Sequence, residues 1–290
     1  MALLSVLFEL SLVVAAMLVT GILVIIGPRN LIDAIRDFRW RLEACLLPVI
    51  ALAAVLLLRW STQDIVQLLE RRVLQNNITP YLFEFDQTVF GTDPVVMVQS
   101  VQTDLVTAFF VFIYIYGYAF LLLFPFLAYF ALEEMDDLST LILAFTANYA
   151  IGLLFYTLFV AYGPRNIDPT TFEPLLYDVF PQSGALTTEV NQSTNVFPSL
   201  HTSLSMTVFF LAWVTRRKYP LWVPVSGFLA VSVALSTMYL GIHWFADVVA
   251  GTILALVSVY IGVNYTVEGI VDSVRRFFET RLDSVSGTNE

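Results

Sequence analysis

Histidine, cysteine and lysine are almost missing from this 290-residue chain, which has two, one and one of them, and only 13% of its residues are charged. The single Cys45 excludes an internal disulfide, and its apolar surroundings read as a small, buried, inert thiol. With Lys218 the sole lysine and a net charge of -10, no basic patch exists to neutralise a phosphate backbone, so nucleic acid is excluded as a partner. No H-E-x-x-H run is present, which removes the best-known helix-borne zinc signature. What replaces charge is apolar surface: 58% of residues are hydrophobic, against about 45 to 50% in soluble domains.

A polytopic membrane protein follows. Crossing about 30 Å of hydrocarbon takes about 20 apolar residues as helix, the form that satisfies its own backbone. Seven runs approach this: Leu3–Ile26, Ala44–Leu58, Leu105–Phe130, Thr140–Tyr162, Leu200–Val214, Leu221–Leu240 and Trp244–Tyr265. The fold class is therefore all-α, a membrane bundle of about seven transmembrane helices. The second and fifth runs are short and borrow flanking residues such as Trp60 or the stretch around Ser199. Glu9 and the lack of a basic start mark the first run as a retained anchor.

Loops rich in Lys and Arg stay in the cytoplasm. An outside N-terminus puts ten basic residues inside (Arg29, Arg36, Arg39, Arg41, Arg216, Arg217, Lys218, Arg275, Arg276, Arg281) and four outside (Arg59, Arg71, Arg72, Arg165). Three parts result: residues 1–104 with two spans and an extracytoplasmic segment, a membrane domain at 105–265, and a cytoplasmic tail at 266–290. The excess of acids resembles that of proteins from salt-loving archaea. Within the first part, Ser61–Leu74 has helical spacing of Ile65, Leu68, Leu69 and Val73, predicting an amphipathic surface helix. Asn77, Pro80, Gly91 and Pro94 then predict irregular chain. Glycosylation triplets start at Asn77 and Asn191 in outer segments, and at Asn264 inside. Val271–Leu282 reads as a short cytoplasmic helix.

Both histidines sit in spaced motifs. His243 and Asp247, four residues apart, share a face if helical, so the carboxylate can orient the imidazole and favour its charged form. Pro198 fits the first turn of a helix whose free N–H groups form an anion site; Ser199 adds a hydroxyl and His201 can protonate a leaving group. Gly-Pro-Arg-Asn occurs at 27–30 and 163–166, each just past a span; in the inner copy it stops a helix and lets Arg29 snorkel, while Arg165 precedes the histidine motif and can grip a phosphate by two hydrogen bonds.

Pro198-Ser199-Leu200-His201 followed by Ser236 to Asp247 resembles the second and third motifs of the type-2 phosphatidic acid phosphatase superfamily, whose usual pattern is K-x6-R-P, then P-S-G-H, then S-R-x5-H-x3-D. Leu200 stands where Gly is usual, Thr237 where Arg is usual, and Gly163-Pro164-Arg165-Asn166 is a remnant of the first motif without its Lys. These departures look more like the branch containing inositol phosphorylceramide synthase. The resemblance implies that His243 attacks phosphorus to give a phosphohistidine, Asp247 stabilises the imidazolium, and His201 protonates the departing oxygen. Arg165, Ser199 and Ser236 would bind the phosphate. No metal or other cofactor enters this scheme.

The expected function is therefore a membrane phosphatase or phosphotransferase acting on a phosphorylated lipid at the extracytoplasmic face. Its acceptor is water, a polyol or a second lipid, with head-group transfer favoured. Simple hydrolysis of a lipid phosphate or polyprenyl diphosphate is the alternative. Three other readings fit less well: a metal site from His201, His243 and Asp247; a proton-relaying transporter, for which only Glu9 lies deep in a span; and an intramembrane protease using Ser183 or Ser199.

Overall fold

The computed structural model describes residues 2–69, 76–176 and 195–286. Arg71, Arg72, Val73, Leu74, Ser183 and Asn191 lie outside the described residues. The chain forms α1 (Ala2–Gly21, continuing through π-helical Ile22–Ile26), α2 (Pro28–Arg36), α3 (Phe38–Leu69), α4 (Thr79–Phe90), α5 (Pro94–Gln99) and α6 (Asp104–Phe112). A π-helical stretch, Ile113–Gly117, joins α6 to α7 (Tyr118–Phe130), and α8 (Asp136–Leu158) and the single-turn α9 (Pro164–Ile167) follow. The last four are α10 (Leu200–Val214), α11 (Trp222–Tyr239), α12 (Phe245–Asn264) and α13 (Val267–Ser286). It is an all-α polytopic bundle.

Among the described residues, six helical stretches are long and apolar enough to cross a membrane, with α6 and α7 forming one of them. The predicted fifth run, α10, has 15 residues and is about 22 Å long, short of a full crossing. It lies inside the bundle, packed by α7, α8, α11 and α12. Two of its buried hydroxyls are joined to α8 there: Asn148 accepts from Ser203 at 2.8 Å and donates to Thr207 at 3.1 Å. Such pairs join helices where no water competes.

Burial separates two regions. Only 17% of the apolar windows of α1 and α3 is buried, against 44 to 61% for the other four. The N-terminal spans are thus flank helices, α1 against α7 and α3 against α8. Glu9 is absorbed structurally, accepting from Tyr116 at 2.9 Å. At the end of the bundle away from the histidines, Arg41 donates to the carbonyls of Phe130 and Leu132, which the end of α7 leaves without helical partners.

The structure corrects three boundaries. α3 runs unbroken from Phe38 to Leu69, so Ser61–Leu69 extends the second span rather than starting a separate surface helix. No Gly or Pro between Leu58 and Ser61 stops it. The residues read as irregular chain instead delimit two helices: Pro80 enters the first turn of α4, Gly91 follows its last, and Asp93 caps α5 by accepting from Val95 N at 2.8 Å. Pro198 precedes the cap of α10 rather than lying in its first turn, and Ser199 is the cap.

Candidate active site

Close approach of backbones builds the site. A Cβ on Gly251 of α12 would lie 2.5 Å from the Ser199 carbonyl, so only glycine lets α12 and the start of α10 meet this closely. Ser199 N donates to the Asp247 carbonyl at 3.1 Å, tying the two motifs together. The Ser199 hydroxyl accepts from Thr202 N at 3.3 Å and donates to the Thr202 hydroxyl at 3.0 Å.

His243 does not share a helical face with Asp247, because α12 begins at Phe245 with Trp244 as its cap. The predicted pairing arises from cap geometry. Asp247 Oδ2 accepts from Trp244 N at 2.8 Å and lies 3.4 Å from His243 Nδ1. The same oxygen thus ends the helix and faces the imidazole. The turn before it is set by the Thr237 carbonyl, which accepts from both Ile242 N at 2.9 Å and His243 N at 3.1 Å.

Burial holds the His243 imidazole down at about 3, helped by the positive charge of Arg165 and opposed by a hydrogen bond to the Val196 backbone. The ring is therefore neutral near neutral pH, the form whose free nitrogen has a lone pair. His243 is 3% exposed and Asp247 is fully buried, whereas His201 is half-buried. The ring of His201, in the first turn of α10, lies 4.8 Å from Tyr114, 4.7 Å from Tyr118 and 6.1 Å from His243, centroid to centroid. The two imidazoles, 42 positions apart in the chain, meet at one end of the bundle.

Arg165 comes from α9. A Cβ on Gly163 would lie 2.2 Å from the Ile242 carbonyl, so the tetrapeptide is pressed onto the turn before His243. Arg165 N donates to the Gly241 carbonyl at 3.0 Å. Ser236 is fully buried and its hydroxyl donates to Val233 within its own helix, at 2.7 Å. Thr237 does likewise to Ala234, at 2.7 Å. The position where the resembled pattern has Arg thus points into its helix.

Two residues that sequence reasoning missed hold this turn. Asp86 of α4, fully buried, accepts from Phe245 N at 2.8 Å and Ala246 N at 2.9 Å, so a carboxylate from a distant helix caps α12. Burial pushes Asp86 up to about 6, against these hydrogen bonds and with the nearby Asp247 and Asp93 adding to the rise. Gln99 of α5 donates to the carbonyls of Glu173 and Tyr239, both at 2.9 Å. In sequence Asp86 is one of two acids, with Glu84, in an otherwise largely apolar stretch, and nothing there names its partner. Among the described residues, no three His, Cys, Asp or Glu side chains are grouped to hold a metal ion.

Two imidazoles meet here, with the Asp247 carboxylate 3.4 Å from one of them and Arg165 bonded through its backbone to the turn that precedes it, a set of groups that phosphoryl chemistry can use. No curated protein and no solved structure matches the chain. The family model of the PAP2 superfamily matches residues 81–261, a stretch that contains His201, His243, Asp247 and Arg165 and excludes α1 to α3. With well over half of its residues inside that match, the chain belongs to the PAP2 superfamily, a membership that supports a phosphatase-type enzyme of lipids.

Proposed function

We propose that the protein transfers a phosphoryl group from a phosphorylated lipid through His243. The 6.1 Å approach of the His201 and His243 rings carries this reading, because it allows one phosphorus to lie between a nucleophile and an acid. The ring nitrogen of His243 away from Asp247 attacks phosphorus, the bond to the departing oxygen breaks, and His201, protonated when the negative charge of the substrate's phosphate lies beside it, supplies that oxygen with a proton. Asp247 faces the imidazolium that results. The acceptor hydroxyl then returns its proton to His201 as its oxygen displaces histidine from phosphorus. Arg165 holds the non-reacting oxygens. Ser199 and Ser236 act as scaffold, since their hydroxyls are engaged within their own helices.

The acceptor in this reading is the hydroxyl of a polyol or second lipid. Thr237 supports it: a phosphodiester carries one negative charge rather than the two of a monoester, and needs fewer cations. Hydrolysis is the second reading, favoured by the family match itself. The site faces the extracytoplasmic side, a placement supported by the surplus of basic residues at the other end. A cysteine at Thr170, which is exposed, reacts with an impermeant reagent added to intact cells; protection there reverses the orientation.

The decisive experiment incubates purified protein with a panel of phosphorylated lipids, with and without polyols, and weighs the products. A new phosphodiester lipid identifies transfer, and free phosphate alone identifies hydrolysis. His243→Ala abolishes both while the protein stays folded, and any turnover above background in that variant removes the nucleophile.

A further inference from the structure

Arg59, one of the four basic residues expected outside, lies beyond the family match, on the flank helix α3. Packing of α3 on α8 brings its guanidinium carbon to 5.5 Å from the ring centre of Tyr149 and 6.0 Å from that of Tyr156. Tyr156 in turn donates to the Pro198 carbonyl at 3.0 Å, inside the first histidine motif. Tyr118, whose ring is 4.7 Å from His201, lies within electrostatic range of Arg59, as does His201 itself. Arg59 therefore stands one ring away from the site, on the His201 side, while Arg165 stands beside His243.

A guanidinium lying over aromatic faces keeps its edge of N–H donors for an oxyanion, and the faces hold it in place at little cost in entropy. Among the described residues, no carboxylate forms an ion pair with Arg59. An unneutralised cation at the end of a span needs either water or an anion. The motif position that would have supplied a further cation is Thr237, buried and bonded into its own helix. Packing thus offers from the first part of the chain what the third motif lacks.

We infer that Arg59 is a second phosphate-binding cation, which reaches the oxyanion from the side opposite Arg165 so that the substrate's phosphate is held across the histidine pair. This rests on the phosphoryl-transfer reading. It also gives the N-terminal spans a chemical role, since a chain without α3 would lack half of the grip.

The test uses the full-length purified protein with inorganic orthovanadate and orthophosphate as probes, so that no lipid need be identified. Arg59→Gln weakens binding of both anions about tenfold or more with an unchanged melting temperature, and Arg59→Lys recovers most of it. With a turned-over lipid, KM rises more than kcat falls. Wild-type affinity in Arg59→Gln overturns the assignment, as does an equal loss in Arg59→Gln and Arg59→Lys that follows a lowered melting temperature, which would make Arg59 a packing residue. A wild-type protein that binds neither anion defeats the phosphoryl-transfer reading together with this inference, whereas normal binding untouched by Arg59→Gln defeats this inference alone.

Discussion

Gly-Pro-Arg-Asn at 27–30 and at 163–166 is the same tetrapeptide in two different settings. In the first copy Gly27 turns the chain at φ 84, a Cβ there would meet nothing nearer than the Asn30 side chain at 3.7 Å, and Arg29 is exposed. In the second, Gly163 is buried against the Ile242 carbonyl and Arg165 N is bonded to Gly241, beside His243. Four identical residues therefore serve as a helix boundary at one end of the bundle and as part of a candidate site at the other. The difference lies in what the rest of the chain packs against them.

The largest expected contrast is in the arginines. On the proposed reading Arg165→Gln lowers kcat/KM by more than about 100-fold, because it removes two charge-assisted hydrogen bonds to phosphate, each worth about 1.5 kcal/mol or more. Arg29→Gln stays within about twofold, and steady-state assays of the two variants showing equal losses would erase the distinction between the copies.

Next come the glycines. Gly163→Ala forces the Ile242 carbonyl away and displaces the turn before His243, so activity per folded molecule falls on the order of tenfold. Gly27→Ala places a side chain at positive φ and costs about 1 kcal/mol of stability, visible as a lower melting temperature with unchanged specific activity. Activity loss in Gly27→Ala would show that strain at one end is felt at the other.

A smaller effect sharpens the second copy's surroundings. Asp86→Ala leaves Phe245 N and Ala246 N without their acceptor, at a cost of about 1 to 2 kcal/mol. We expect kcat to fall a few-fold and melting temperature to drop, while Asp86→Asn, which still offers one acceptor, falls between. An Asp86→Ala protein with wild-type melting and turnover would remove the cap from the account.

The smallest effect is on pH. Because Asp86 is raised from 3.8 to about 6, the folded protein holds this proton more tightly than the unfolded chain does. Its contribution to stability is fully present below about pH 4, declines as pH rises to about 6, and is flat above. Melting curves of wild type and Asp86→Asn across this range should diverge in that window, and parallel curves would contradict the shift.

Much of the candidate site was legible because its signals are short. The spacing of His243 to Asp247 and the run from Pro198 to His201 depend on neighbours within one helical turn, so both were readable without coordinates, although the cap geometry that joins His243 to Asp247 was not. Asp86 could not be read: its partners Phe245 and Ala246 lie 159 and 160 residues away. Arg59 was equally silent, since nothing in the second span distinguishes an arginine that snorkels from one stacked on Tyr149 and Tyr156.

By itself the sequence determined the all-helical membrane fold, because lipid leaves an apolar run no other way to satisfy its backbone, and it determined which two imidazoles are available for chemistry, because there are only two. Tertiary structure decided which copy of the tetrapeptide meets them, which carboxylate caps the helix at His243, and which flank arginine comes near His201. Those choices depend on helix-to-helix packing, where a glycine permits approach and a distant side chain fills the remaining hydrogen bonds, and no local pattern encodes the partner.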